Sequence, residues 1–316
     1  MNVTNKEFLA DVLSGLSAEP KTLSSKYFYD KKGDELFQQI MDLEEYYLTK
    51  AEYEIFKTYK SKILDIFTSG TKEFRLIEFG AGDGYKTKVL LEHFIESETT
   101  FEYKPIDISQ NAIDKLKTDL NGNIPKLNIT AEQGDYFQVL KRLPKINHKK
   151  NVILFLGSNI GNFTLPEVES FLIAIRNKIF KNDLLFLGLD LKKNPDKILR
   201  AYNDSDGVTR DFNLNLLSRI NRELNANFDI DTFEHYAAYN PVNGECISTL
   251  ISTKQQEVTV DNQKFFFEQW EPIHTEISRK FSLKQIEKLA AKCGFTIEKN
   301  LIDKNEYFVD SIWKAV

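Results

Sequence analysis

The segment Glu78-Phe79-Gly80-Ala81-Gly82-Asp83-Gly84 places three alternate glycines among carboxylates within a single turn. It follows an apolar run at 74–79 and precedes a helical pattern from Lys86, so it falls at the carboxyl end of a first strand, where open α/β sheets bind ligands. Gly80, Gly82 and Gly84 permit tight turning and close approach of the backbone to a ligand. Alone, such a segment could be no more than a sharp bend. Asp107 adds to it. It ends the next apolar run, where a carboxylate can accept hydrogen bonds from both hydroxyls of a ribose. Gly134-Asp135-Tyr136-Phe137 follows the third run and could meet the amino group and ring face of an adenine. The plain alternatives are a helix cap at Asp107, before Ile108-Ser109, and a solvated turn at Asp135. Together these positions favour an adenosyl ligand.

Charge decides which adenosyl ligand. A dinucleotide needs its pyrophosphate beside a helix start, yet Asp83 lies in this loop and Glu78 precedes it, and both repel phosphate. They suit a cationic sulfonium and an amino acid moiety. The expected cofactor is therefore S-adenosylmethionine, with S-adenosylhomocysteine left after transfer. Lys86 could partly offset the acidic charge, or could reach the methionine carboxylate.

The elements that must position these residues follow a strand-helix alternation. Apolar β-rich runs lie at 74–79, 101–106, 152–156 and 184–189, with a weaker one at 127–131. Helical spacing fills 87–95, 111–120 and 165–180, the last with Pro166 near its start. This order predicts a parallel sheet with helices on both faces. After Asp190 the pattern changes to a long helical segment at 207–224, a polar aromatic stretch, and alternating runs at 247–251 and 265–270 that read as antiparallel strands. A helix at 283–293, a turn at Gly294 and strand-like runs at 295–298 and 307–313 return to the first style.

The expected fold class is α/β, a Rossmann-like class I methyltransferase sheet with a second, inserted α+β substrate-binding domain.

Bulk properties narrow the partners. The 316 residues are 41% hydrophobic and 12% aromatic, enough for a sizeable core. A net charge of -5, with lysines scattered among carboxylates, leaves no basic footprint for nucleic acid. Cys246 and Cys293 lie far apart without metal-type spacing, so no zinc site or disulfide framework is expected. The start Met1-Asn2-Val3-Thr4 has no apolar signal core, and no apolar run reaches membrane-spanning length. The expectation is a cytoplasmic monomer that acts on a small molecule, without metal, membrane or nucleic acid.

Several separated blocks then resemble the histidine-specific Nα-methyltransferase family of ergothioneine biosynthesis, across nearly the whole chain. They are Tyr27-Phe28-Tyr29-Asp30, Gly33-Asp34-Glu35-Leu36-Phe37, Glu45-Tyr46-Tyr47-Leu48-Thr49, Phe155-Leu156-Gly157-Ser158-Asn159-Ile160-Gly161-Asn162, Gly207-Val208-Thr209 with Phe212-Asn213, and Thr275-Glu276-Ile277-Ser278. The resemblance implies that the amino-terminal segment and the insertion form a substrate domain that closes over a cleft, so that the expected division is 56–193 plus 281–316 for the cofactor domain and 1–55 plus 194–280 for the substrate domain, and that the product is hercynine, the trimethylated betaine of histidine. It implies Tyr46, Asn162 and Tyr202 as holders of the substrate carboxylate and amine, with Gly157 near the amine. It implies Tyr29 as a further cleft residue, Glu276 and Ser278 as readers of the imidazole, and Gly80, Lys86, Asp107, Asp135 and Tyr136 as the cofactor side. Asn162 and Tyr29 are the candidates for the chemistry itself.

Each position has a bland alternative. The tyrosines could simply pack, Asn162 could cap the following helix, Tyr202 could be a helix-face aromatic, and Glu276 could sit on an exposed, alternating strand. Residues 237–253, including Cys246 and Thr249, have no secure counterpart in the family. Two other readings therefore stay open at this point, a methyltransferase for another amino acid or small primary amine and, of a different class, a regulatory module that holds an adenosyl ligand without turnover.

Overall fold

The computed structural model describes residues 3–71, 73–142 and 149–316. Met1 and Asn2, which open the segment read for a leader, lie outside the described residues. The chain divides into two compact units, one of residues 1–46 and 193–278, the other of 47–192 and 279–316. The three crossings fall at 46/47, 192/193 and 278/279, where the sequence suggested 55/56, 193/194 and 280/281.

The second unit holds an eight-stranded sheet. Its order runs Phe295–Ile302, Phe308–Ala315, Leu184–Asp190, Lys150–Phe155, Glu73–Phe79, Thr100–Asp107 and Asn128–Ile129, with Glu132–Gln133 also paired to Thr100–Asp107. The strands from Leu184–Asp190 to Asn128–Ile129 pair in parallel, and the two carboxyl-terminal strands are antiparallel. Every residue of Leu184–Asp190 is buried, because successive side chains enter two covered faces. Leu185, Leu187 and Leu189 join Phe171, Leu172 and Ile175 of helix Leu165–Lys178 and Ile286 of helix Leu283–Lys292. Phe186 points the other way. It meets Phe56 and Phe67 of helix Tyr47–Thr68, with ring centroids 5.8 and 5.7 Å away.

Local signals start these helices. Thr164 with Glu167, and Ser282 with Gln285, form capping boxes, and Ser109 accepts the Ala112 N–H at the head of Gln110–Asn123. The expected strands and helices of this unit are present with end shifts of a few residues. The weak run at 127–131 resolves into two short strands, Asn128–Ile129 and Glu132–Gln133.

The other unit carries a four-stranded sheet in the order Lys21–Thr22, Pro272–Arg279, Glu245–Ser252, Phe233–Asn240, and a separate hairpin, Gln256–Val260 with Gln263–Phe267. The polar aromatic stretch after residue 224 thus contains a strand. Phe233–Asn240 pairs antiparallel with Glu245–Ser252 and buries Phe233 and Ala237 while exposing Glu234, Tyr236 and Ala238. Helices Val3–Leu16 and Lys31–Asp42 fill the amino-terminal part, and Val208–Leu224 buries a stripe of Phe212, Leu216, Leu217, Ile220 and Leu224. Asp30 joins two of these helices. Its carboxylate accepts the Gly33 N–H at 2.7 Å, capping Lys31–Asp42, and Asn215 Nδ2 from Val208–Leu224 at 2.9 Å. Burial opposes that charge, yet these bonds and Arg222 hold the carboxyl below its ordinary range.

Candidate functional site: a glycine loop and an aromatic half-site

Strand Glu73–Phe79 delivers the glycine loop at its carboxyl end. Gly80, Gly82 and Gly84 have φ of 72°, 56° and 70°, the left-handed conformation that glycine adopts without a Cβ penalty. At Gly80 the need is also spatial, since a Cβ there would lie 2.6 Å from both the Tyr136 hydroxyl and Asn159 Nδ2. Asp107 ties the loop to the next strand, with Oδ2 accepting the Gly82 N–H and Oδ1 the Ser109 N–H, each at 2.9 Å. Ser109, rather than Asp107, is the helix cap.

Asp135 does cap a helix. Its Oδ1 accepts the Phe137 and Gln138 N–H groups at 3.0 and 3.1 Å, starting Tyr136–Arg142. Tyr136 packs edge-on against Phe155, 5.2 Å between centroids, and burial with the charges of Asp107 and Asp135 keeps its phenol protonated. Gly80, Asp107, Asp135 and Tyr136 are thus gathered in one place.

Glu78 has a different part from the one its charge suggested. It is buried, 2% exposed, and accepts Thr87 Oγ1 at 2.7 Å and Tyr103 OH at 2.5 Å. Burial pushes its carboxyl up to about 7, against those bonds and the Lys86 charge. Its charge is spent inside the fold, and the acidic residue left in the loop is Asp83, whose Oδ1 accepts the Tyr85 N–H at 3.0 Å.

Lys86 belongs to a cluster that sequence reasoning missed. Its ammonium pairs with Glu52, and Glu52 Oε1 accepts the Gly157 N–H at 2.8 Å. Burial disfavours the ammonium, but the Glu52 charge and hydrogen bond outweigh it and raise its pKa. Asp310, fully buried, lies close to the same carboxylate; burial first and the Glu52 charge second hold it well above the usual range. A signal was available. Glu52 stands in the buried helical stripe Leu48, Ala51, Ile55, Phe56, and Asp310 in the apolar strand run Phe308, Val309, Ile312, Trp313.

Gly157 and Asn162 flank a tight turn that ends in the short helix Asn159–Asn162, with Ser158 at φ 60° and its Oγ accepting the Asp190 N–H at 3.1 Å. Thr164, and not Asn162, caps the helix that follows.

In the other unit, Tyr29, Tyr46, Tyr202 and Ser278 fall into one chain of contacts. The Tyr29 ring meets Phe37 at 5.7 Å, Phe37 meets Tyr46 at 6.4 Å, and Tyr46 meets Tyr202 at 6.4 Å. The Tyr202 hydroxyl is hydrogen-bonded to Ser278 Oγ at 2.7 Å. Glu276 is two residues from Ser278 on the same strand and shares its face. This strand is not an exposed edge, because Pro272–Arg279 lies between two others and buries Thr275, whose Oγ1 donates to Ser248 O and Asn213 Oδ1 at 3.0 Å. Thr249 is committed to its hairpin, donating to Tyr236 O at 3.0 Å, and Cys246 is 1% exposed. His235, unmarked in the sequence reading, has both ring nitrogens buried without a hydrogen-bond partner among the described residues, and burial lowers its pKa to about 4 against the pull of Asp204.

Among the described residues no helix is long and apolar enough to cross a membrane. A sequence model described as "Histidine-specific methyltransferase, SAM-dependent" matches residues 8–315. The chain is 35% identical over 286 residues to histidine N-alpha-methyltransferase of Mycolicibacterium smegmatis, covering 90% of this chain and 87% of that one. It is 27% identical over 307 residues to ergothioneine biosynthesis protein 1 of Schizosaccharomyces pombe, covering 93% of this chain and 39% of that longer protein. Among solved structures, mitomycin 7-O-methyltransferase shares the fold with a TM-score of 0.51 at 12% identity, over 99% of this chain and 67% of that one.

Proposed function

Because the chain belongs to the S-adenosylmethionine-dependent histidine-specific methyltransferase family, we propose that it methylates the α-amine of L-histidine, three times in succession, to give hercynine. The observation that carries this reading is the match of the histidine-specific family along residues 8–315, which takes in both the glycine loop and the strand bearing Glu276 and Ser278.

The residues present fit the cofactor. A Cβ on Gly82 would meet nothing within 4 Å, and the Asp107 carboxylate holds the Gly82 N–H, so the loop presents open backbone suited to the close approach of an adenosyl group. When bound, S-adenosylmethionine supplies an electrophilic methyl group on a sulfonium. In this reading Asp107 takes the ribose hydroxyls, Asp135 and Tyr136 the adenine, Gly80 the close backbone approach, and Lys86 the methionine carboxylate.

Tyr46, Tyr202 and Asn162 orient the amino acid, with Gly157 beside its amine. The chain's main contribution is alignment, because an in-line displacement on an activated donor needs geometry and a neutral amine above all. The amine proton leaves through water, with the Asn162 carbonyl and the Tyr29 hydroxyl as the acceptors at hand. Glu276 and Ser278 read the imidazole, the half-buried Glu276 carboxylate accepting a ring N–H that phenylalanine could not offer. The reading extends to a cytoplasmic monomer. Two buried free cysteines suit a reducing compartment, and a net charge of -5 offers nucleic acid no basic face.

The test is incubation of the purified protein with S-adenosylmethionine and a pool of amino acids, read by mass spectrometry. Additions of one, two and three methyl groups to histidine are expected. Methylation of a different amino acid or amine would overturn the acceptor, and cofactor binding without any transfer would overturn the enzyme. Size-exclusion chromatography tests the monomer.

A further inference from the structure

Glu52 and Asp310 are two buried carboxyl groups on different elements that the proposed chemistry does not use. We propose that they form a positioning pair, in which Glu52 fixes both the Lys86 ammonium and the Gly157 amide for cofactor binding while Asp310 backs it from the neighbouring strand. The inference rests on the reading of Lys86 as the group that takes the methionine carboxylate.

Three observations carry it. Glu52 is 0% exposed and divides its two oxygens between separate targets, Oε1 to the Gly157 N–H at 2.8 Å and Oε2 to Lys86 Nζ. One side chain therefore sets the distance between the lysine and the turn that follows strand Lys150–Phe155.

The sheet makes room for it. A Cβ on Gly188 would lie 2.1 Å from Glu52 Oε1, and Gly188 is the residue registered opposite Asp310. An all-buried strand of large apolar residues thus has its one glycine where the carboxylate enters.

Lys86 also keeps a working surface. Its side chain is 20% exposed while that of Glu52 is 0%, and an ammonium has three donors, so the Glu52 bond leaves donors for a ligand carboxylate. Burial first and the Glu52 charge second hold the Asp310 carboxyl well above its ordinary range, which disfavours a second anion beside Lys86. A second ionised carboxylate would compete with the ligand for Lys86.

The experiment is a double-mutant cycle on S-adenosylhomocysteine affinity by calorimetry, with Glu52→Gln and Lys86→Met alone and combined. Lys86→Met should weaken binding, and Glu52→Gln should weaken it by about tenfold, the scale of a lost supporting contact. The combined variant should be no weaker than Lys86→Met, and KM for histidine should stay within about twofold in Glu52→Gln, whose amide oxygen can still accept the Gly157 N–H.

Equal weakening by Glu52→Gln in both backgrounds would overturn the proposal, as would no effect in the wild-type background while Lys86→Met weakens binding. No effect of Lys86→Met would overturn the reading of Lys86 and the proposal with it. Gly188→Ala is the second route. It crowds the Glu52 carboxylate together with the Gly157 N–H which that carboxylate accepts, without altering any charge, and should reproduce the Lys86-dependent loss; unchanged affinity there would also overturn the proposal.

Discussion

The Lys280 ammonium lies 2.9 Å from Asp190 Oδ2, and both side chains are 0% exposed. The Tyr47 hydroxyl adds bonds of 3.0 and 2.8 Å to the two oxygens of Asp190. Tyr47, Asp190 and Lys280 each stand within a few residues of one of the three points where the chain passes between its units, at 46/47, 192/193 and 278/279. One buried network therefore ties together three chain ends of the unit built from the two segments 47–192 and 279–316. Removing a single partner leaves an uncompensated buried charge, which costs about 3–5 kcal/mol. Lys280→Met should lower stability on that scale in urea unfolding, and Lys280→Met with Asp190→Asn should recover most of the loss.

One methyl group at Gly80 would crowd Tyr136 and Asn159. Gly80→Ala introduces a Cβ 2.6 Å from the Tyr136 hydroxyl, at a φ of 72° that alanine resists. The stability cost should be about 1 kcal/mol, and S-adenosylhomocysteine affinity should drop by about tenfold or more. Calorimetry and thermal melting measure both, and unchanged affinity would remove Gly80 from the cofactor site.

Two buried groups should give opposing pH dependences of stability. Glu78 is raised from 4.5 to about 7, so between those values the folded chain holds a proton that the unfolded chain has released, and this contribution falls as pH rises. His235 is lowered from 6.5 to about 4, so between those values the unfolded chain holds a proton that the folded chain excludes, and this contribution grows as pH rises. Urea midpoints across this range should show it. Glu78→Gln should steepen the gain in stability with rising pH, and His235→Gln should reverse or flatten it.

Substrate reading divides between Glu276 and Tyr202. Glu276→Ala should lower kcat/KM for histidine by about a hundredfold while changing that for tryptophan little, because only the imidazole loses a bonded partner. Equal losses on both would exclude Glu276 from selectivity. Tyr202→Phe removes the 2.7 Å bond to Ser278 and should raise KM for histidine by about tenfold, at a stability cost of about 1 kcal/mol.

Much of this protein was legible because its signals are local. The runs at 74–79, 101–106, 152–156 and 184–189 became the buried strands of the sheet, since a strand covered on both faces has no polar positions to hide it. The glycine loop showed itself through residue type, because few other residues tolerate its φ values. Strand Phe233–Asn240 did not show itself, because only one of its faces is covered and its exposed face reads as polar loop. The alternation at 275–278 left an exposed strand as the plain alternative, yet Thr275 and Ser278 are buried, bonded to Asn213 and Tyr202 of two helices remote in sequence.

The sequence by itself determined the class of sheet, the loop that suits an adenosyl ligand and, through spaced blocks, the acceptor expected. Only tertiary structure decided where charge resides. Glu78 looked like a loop anion and is a buried group shared by Thr87 and Tyr103, whereas Glu52 and Asp310 went unmarked in the sequence and gather beside Lys86. The reason is that an ionisable group's state depends on desolvation and on partners brought from remote segments, and neither is written in its neighbours along the chain.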